Sequence, residues 1–326
     1  MPQEDRRSKS VPGAIKGVIV AVVVVAIILA SLYAYTGMWP PMVVVESDSM
    51  QHSSDRSFIG IIDTGDLVLV KEKDPATIIT CLQGQEMGYQ TYGEYGDVVI
   101  YQRYGNPTYK SIIHRAICRV EYNTTGGGFD IPELAGIPTD QWKIQGSSQQ
   151  VWWNLDGVVE IYDIGYMEVT IHLDLDALLD YFHDRGRVPH GGFITMGDHN
   201  MAYQGGELVG VYDQLAICRE PIQESWVLGA ARGELPWFGL LKLWVTGDAP
   251  TNVPQNSVTN LWLSLGIIIG LPIVIDVTTI VMKRRGVDIW VWTRKLNLWR
   301  SKKTDDERLS ETVHDPKKKG PKDKTK

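Results

Sequence analysis

Two stretches of the chain carry no charge: Gly17 to Ala34, GVIVAVVVVAIILASLYA, and Leu261 to Ile275, LWLSLGIIIGLPIVI. The first approaches the ~20 residues an α-helix needs to cross the hydrocarbon core of a bilayer, and Trp39 follows at interface depth. It exceeds the ~7–15-residue apolar region of a cleavable export signal, so the spacing predicts a retained transmembrane helix over residues 17–36. The second predicts a transmembrane helix over residues 260–282, with Trp262 near one end and Lys283, Arg284 and Arg285 abutting the other. Pro272 and Asp276 interrupt it, Asp276 about one turn from the interface rather than at the costly bilayer centre.

Between the spans the pattern changes to short runs rich in Val, Ile and Tyr, bounded by Gly, Asp or Pro. Residues 58–70, 96–103, 110–122, 158–164, 167–173 and 191–198 read as strands, and a β-dominated domain follows. One exception is LDLDALLDYFHDRG, 173–186, where Leu175, Leu178, Leu179 and Phe182 share a helical face and Gly186 offers a stop. NTTGGG at 123 and RVPHGG at 187 bracket a stretch that reads as an inserted α+β subdomain, 123–189, within a β domain made of 37–122 and 190–258. The tail, 283–326, is basic and nearly devoid of apolar residues from Ser301 on, which predicts disorder there. Ahead of it, Ile289, Trp292, Leu296 and Trp299 recur at helical spacing and suggest an interfacial helix.

Charge orients these pieces. Residues 1–16 carry four Lys/Arg against two Asp/Glu, and residues 283–326 fifteen against seven, so a total of −7 leaves −17 on residues 17–282. Positive charge marks the cytoplasmic side, which puts both ends inside and residues 37–258 outside a multi-pass cell-membrane protein. An acidic outer domain excludes nucleic acid as a partner on electrostatic grounds. Three scattered cysteines, Cys81, Cys118 and Cys218, are too few for a disulfide framework or a metal site. Asn123 opens the one N-glycosylation pattern, NTT.

Acyl-transfer chemistry at neutral pH needs a hydroxyl or thiol nucleophile, a base, a group to orient the base, and donors for the oxyanion. Ser49, in SDSM close after the first span, is a candidate nucleophile. The candidate bases are His52, His114, His172, His183, His190 and His199. His114 stands out because KSIIHRAI buries it in an apolar alternating segment, where an imidazole needs a partner. Asp198, in FITMGDHN, and Asp213, in GVYDQL, are the two candidate orienting carboxylates, and their spacing does not choose between them.

Taken in order, SDSM, TGDLVLV, YGDVVIY, SIIHRAI, FITMGDHN and VLGAARGELPWFGLLKL resemble the type I signal peptidases of the archaeal and endoplasmic-reticulum branch. The likeness covers most of residues 17–121 and 191–245. It implies a mostly β catalytic domain of the signal peptidase type, a membrane-anchored serine endopeptidase without a cofactor. Its partners would be the signal peptides of preproteins, the bilayer and the translocon. Ser49 maps to the family's nucleophile, and Ser47 to the serine that donates to the oxyanion beside the Ser49 N–H. His114 before Arg115, where bacterial members carry lysine, implies a Ser/His mechanism with an aspartate behind it.

Three departures stand out. His52 occupies the place of the family's proline. The second aspartate of the last motif falls on Tyr203 and Gln204 unless MAYQGGELVGV is a local insertion, in which case YDQ restores the match at Asp213. Nothing in the family accounts for residues 123–189. The first two departures leave a second reading, a non-catalytic, membrane-tethered β domain that binds peptides or associates with a translocon.

Overall fold

A computed structural model describes residues 13–248, 250 and 252–285. The basic N-terminal segment up to residue 12, the interfacial helix expected at 289–300 and the tail expected to be disordered lie outside the described residues. The chain forms two compact units, one ending at Leu261 and one beginning at Trp262.

In chain order, helix α1 (Gly13–Thr36) leads into β1 (Met42–Val44), β2 (Leu67–Lys71), α2 (Cys81–Met87), the short hairpin β3 (Gln90–Thr91) and β4 (Glu94–Tyr95), and β5 (Val98–Tyr101). There follow β6 (Ile112–Tyr122), β7 (Phe129–Asp130), β8 (Trp142–Ile144), β9 (Val158–Ile164), β10 (Val169–Asp174) and α3 (Leu175–His183). The remainder is β11 (Gly192–Met196), β12 (Met201–Gln204), β13 (Glu207–Gly210), β14 (Val227–Leu235), α4 (Gly239–Thr246) and α5 (Gln255–Arg284). The fold is thus mostly β sheet, with two helices among the described residues long and apolar enough to cross a membrane.

Along α1 the apolar side chains from Val18 to Tyr35 point outward, with Leu32 half-buried, and only Thr36 at its end is buried. Water does not tolerate such a surface, whereas lipid does. At its base the helix is tied to the first sheet, because the Glu72 N–H donates to the Thr36 carbonyl at 2.7 Å. Helix α5, 30 residues long, starts five residues earlier than its hydropathy predicts. Its first turn is polar because it docks: Asn256 accepts from the Ser57 N–H at 2.8 Å and donates to the Ser57 carbonyl at 3.0 Å.

Among the described residues the first sheet runs β1-β2-β14-β5-β6-β11, all antiparallel, with β7 pairing the far end of β6. Residues 58–66, expected to extend β2, form turns instead. Their carboxylates take up the local backbone donors, Asp63 Oδ2 from the Phe58 N–H and Asp66 Oδ2 from the Asp63 N–H, in place of a strand ladder.

The second sheet, β12-β13-β10-β9-β8, belongs mainly to the inserted stretch. Its outermost pair is the hairpin 201–210, which attaches through a parallel pairing of Thr170 with Val209. The boundary expected at 189 therefore does not separate two sheets: MAYQGGELVG joins the inserted subdomain although it lies within the 190–258 portion. Both sheets share one core, in which Ile117, Cys118 and Ile194 pack with Phe129, Leu155, Ile171 and Leu178. Helix α2, unexpected from periodicity, has its own local signature in TCLQ. Thr80 caps the Gln83 N–H and Gln83 returns to the Thr80 N–H, a capping box that puts Cys81 and Leu82 into that core.

All three cysteines are buried and free. Burial pushes the Cys81 thiol up to about 12 and that of Cys218 to about 11, which leaves neither available as a thiolate nucleophile. The Asn123 amide nitrogen donates to the Asp130 carboxylate at 3.0 Å, so the glycosylation pattern serves as the pivot of a turn in the folded chain.

Candidate active site

Ser49 lies in a turn after β1, closed by the Gln51 N–H donating to the Asp48 carbonyl at 3.0 Å. Met50, 1% exposed, anchors the turn in a core cluster with Ile62, Val68 and Val98. The Gln51 side chain, also buried, accepts from the Thr64 N–H at 3.0 Å. Ser49 itself is half-buried and Ser47 exposed, their hydroxyl oxygens 3.3 Å apart.

His114 sits in β6, which is separated from β1 by β2, β14 and β5. Strands spaced ~4.8 Å apart would put β1 and β6 about 19 Å apart in a flat sheet. Register shifts where β14 meets β2 and β5, which bend and twist strands locally, and the segment leaving β1 lie along the way across that distance. The result is His114 Nε2 at 2.9 Å from Ser49 Oγ. On the other side of the ring, Nδ1 lies 2.8 Å from both carboxylate oxygens of Asp213. An ionised carboxylate only accepts, so Nδ1 carries the proton and Nε2 accepts from the serine hydroxyl.

Asp213 is 1% exposed, at the start of a 3₁₀ turn. Besides the imidazole it accepts from Tyr101 Oη at 2.7 Å and Thr195 Oγ1 at 2.6 Å. Burial and the adjacent carboxylate together hold the Tyr101 hydroxyl well above its ordinary pKa, so it remains a donor. Neither Tyr101 nor Thr195 was singled out by motif reasoning; each lies on a buried strand that the hydrophobic pattern marks only as core.

Asp198, the other candidate, lies elsewhere. Arg115, 0% exposed, holds it with Nε on Oδ1 at 2.7 Å and Nη2 on Oδ2 at 2.6 Å. The remaining guanidinium nitrogen faces the carbonyls of Thr91, Glu94, Tyr95 and Gly96 around the β3–β4 hairpin, at 3.0–3.2 Å. Burial alone would raise the Asp198 pKa, but the charge and hydrogen bonds of Arg115, with help from His52, hold it below the ordinary carboxylate value. His52 Nε2 is 3.0 Å from Asp198 Oδ2, which is how this histidine is accommodated where the resembled family has proline.

The turn after β11 backs the Ser49–His114 pair. The His199 N–H donates to the Ser49 carbonyl at 2.8 Å, and His199 Nδ1 donates to the Gln51 carbonyl at 3.1 Å. Gly197 packs so closely that a Cβ there would lie 2.5 Å from the Ser49 carbonyl oxygen and 2.9 Å from His114 Nε2. Of the remaining histidines, His190 pairs with the buried Glu220 at 3.1 Å, His172 lies 4.0 Å from Glu207, and His183 ends α3 in solvent. No group of carboxylates, cysteines and histidines among the described residues has the arrangement of a metal site.

Chemically, these residues assemble a hydroxyl, an imidazole able to take its proton, and a buried carboxylate able to stabilise the imidazolium. No protein-family model matches the chain, and no curated protein matches it.

Proposed function

We propose that this chain is a membrane-bound type I signal peptidase, a serine endopeptidase that removes N-terminal signal peptides from exported preproteins after small-x-small sequences. The observation that carries the proposal is the continuous line Ser49 Oγ, His114 Nε2 at 2.9 Å, His114 Nδ1, and Asp213 at 2.8 Å. Ser49 attacks the scissile carbonyl while His114 takes its proton. The tetrahedral oxyanion is held by the Ser49 N–H and the Ser47 hydroxyl, and the imidazolium, steadied by Asp213, protonates the leaving amine. Water then enters, gives a proton to His114, and hydrolyses the acyl-enzyme.

Two unpaired strand edges support an extended peptide as substrate. Among the described residues strand β1 pairs only with β2, and Ile112–His114 pairs with β5 on one side while β11 reaches only as far back as Arg115 on the other. Both edges lead to the catalytic pair, one through Ser49 and the other through His114. A substrate strand laid along such an edge gains main-chain hydrogen bonds in proportion to its length. The two apolar helices support a site at a membrane surface, with the catalytic domain on the extracytoplasmic face where signal peptides emerge.

The two departures behind the non-catalytic alternative carry less weight once His52 pairs with Asp198 and Asp213 reaches His114. The test is Ser49→Ala, assayed in detergent with a radiolabelled preprotein. Loss of processing is expected; full retention would end the proposal.

A further inference from the structure

His52 and the inserted subdomain are the features the peptidase reading leaves without a task, and they meet at one point. The His52 imidazole lies face to face with the ring of Tyr166, centroids 4.1 Å apart and planes inclined by 10°. Tyr166 comes from the turn joining β9 to β10, closed by the Glu168 N–H donating to the Gly165 carbonyl. The other contacts of His52 are equally confined. Its Nε2 is 3.0 Å from Asp198, an ionised acceptor already gripped by Arg115, and a Cβ on Gly93 would come within 3.2 Å of its ring. Its side chain is only 13% exposed. The same tyrosine reaches the turn by a second route, its hydroxyl 3.5 Å from the His199 Nδ1 that donates to the Gln51 carbonyl.

We propose that the inserted subdomain is a working part of the active site, with Tyr166 and His52 as positioning residues that hold the Ser49 turn at its distance from His114. This rests on the reading of Ser49 as a nucleophile. Residues 47–51 lie outside any strand, so their placement depends on side-chain anchors: Met50 in the core, Gln51 on the Thr64 N–H, Asp48 on Asn252, the Gly197–Asn200 turn, and the adjoining His52. A displacement of the serine oxygen by about 1 Å costs on the order of 10²-fold in rate, which makes a side chain that fixes this turn a determinant of kcat.

The experiment pairs Tyr166→Ala and His52→Ala with Tyr166→Phe in the full-length chain in detergent. Tyr166→Ala and His52→Ala should each lower kcat roughly 10- to 100-fold with KM within about twofold of wild type. Both should speed amide exchange in residues 49–53, while Tyr166→Phe, which keeps the stacking face, should restore kcat and exchange to near wild type. Wild-type kcat and wild-type exchange in Tyr166→Ala would overturn the proposal, as would equal losses in Tyr166→Phe and Tyr166→Ala. Should the wild-type chain cleave no preprotein, the peptidase reading fails, and exchange in residues 49–53 alone decides whether Tyr166 holds the turn.

Discussion

Arg115 and Asp198 form a two-point ion pair out of solvent, Nε to Oδ1 at 2.7 Å and Nη2 to Oδ2 at 2.6 Å. One residue earlier along the same strand, His114 faces Asp213. Successive side chains on a strand point to opposite faces, so neighbours 114 and 115 each draw one of the two carboxylates to its own side. The two aspartates therefore fail in different ways when changed.

Asp213→Asn should cost ~10⁴ in kcat while leaving a folded protein, because the imidazole loses the group that sets its tautomer and stabilises its charge. Asp198→Ala should instead unfold the domain or lower its stability by about 3–5 kcal/mol, since it strands the buried Arg115 cation. Preprotein kinetics beside thermal unfolding separates the two. A folded, inactive Asp198→Ala together with an active Asp213→Asn would reverse the assignment.

Gly197→Ala should inactivate and also cost stability, since one of its two clashes is with backbone. The added methyl would meet the Ser49 carbonyl at 2.5 Å and His114 Nε2 at 2.9 Å, forcing Ser49 and His114 apart. A fall in kcat of ~10²-fold or more is expected. Near-normal turnover would mean that the pair relaxes freely around that turn.

Glu46 and Lys110 lie on the segments that lead to Ser49 and His114, and their side chains meet at 2.5 Å across the gap between them. On the peptidase reading an extended substrate would enter that gap and displace an exposed ion pair, which is weak and screened by salt. Lys110→Ala should lower KM roughly two- to fivefold at low ionic strength, and added NaCl should bring the wild type toward the variant. A raised KM in Lys110→Ala would show that Lys110 grips substrate instead.

Asp63, Asp66 and Glu234 cluster beneath the Ser57–Gly60 loop, where Gly60 donates to Glu234 and Trp237 donates to Asp66. Burial pushes their carboxyls up to about 6, about 7 and about 7, and repulsion from the neighbouring carboxylates adds to it at Asp66 and Glu234. Each keeps in the folded chain a proton that the unfolded chain has released between about pH 4 and pH 7. Folding thus takes up protons, and this cluster's contribution to stability declines as pH rises through that window. Glu234→Gln should have a Tm close to wild type near pH 4 and a few degrees above it at pH 8, by ~2–5 °C. Thermal unfolding across pH checks it, and a parallel offset at every pH would exclude the linkage.

Much of this was legible in the chain. Uncharged runs of membrane length, β-branched strands between turn residues and the amphipathic face of 175–182 are properties of neighbouring residues, and each appeared close to its expected place. Residues 58–66 did not, because hydropathy alone hides the competition that Asp63 and Asp66 offer to a strand ladder. Nor did local pattern show that the hairpin 201–210, beyond the boundary read at 189, pairs with β10, since which strands share a sheet is a matter of pairing between distant segments.

The sequence by itself therefore determined the two apolar spans, the β texture between them, and the residue types needed for serine chemistry, all of which follow from local composition and order. Only the tertiary structure decided that Asp213 rather than Asp198 backs His114, that His52 leans on both Asp198 and Tyr166, and that Tyr101 and Thr195 complete the carboxylate's surroundings. The reason is geometric. Which side chains meet across 65, 99 or 146 residues depends on the pairing and register of distant strands, on the alternation of strand faces and on the hairpin 201–210 between Asp198 and Asp213, and these depend on segments far apart in the chain.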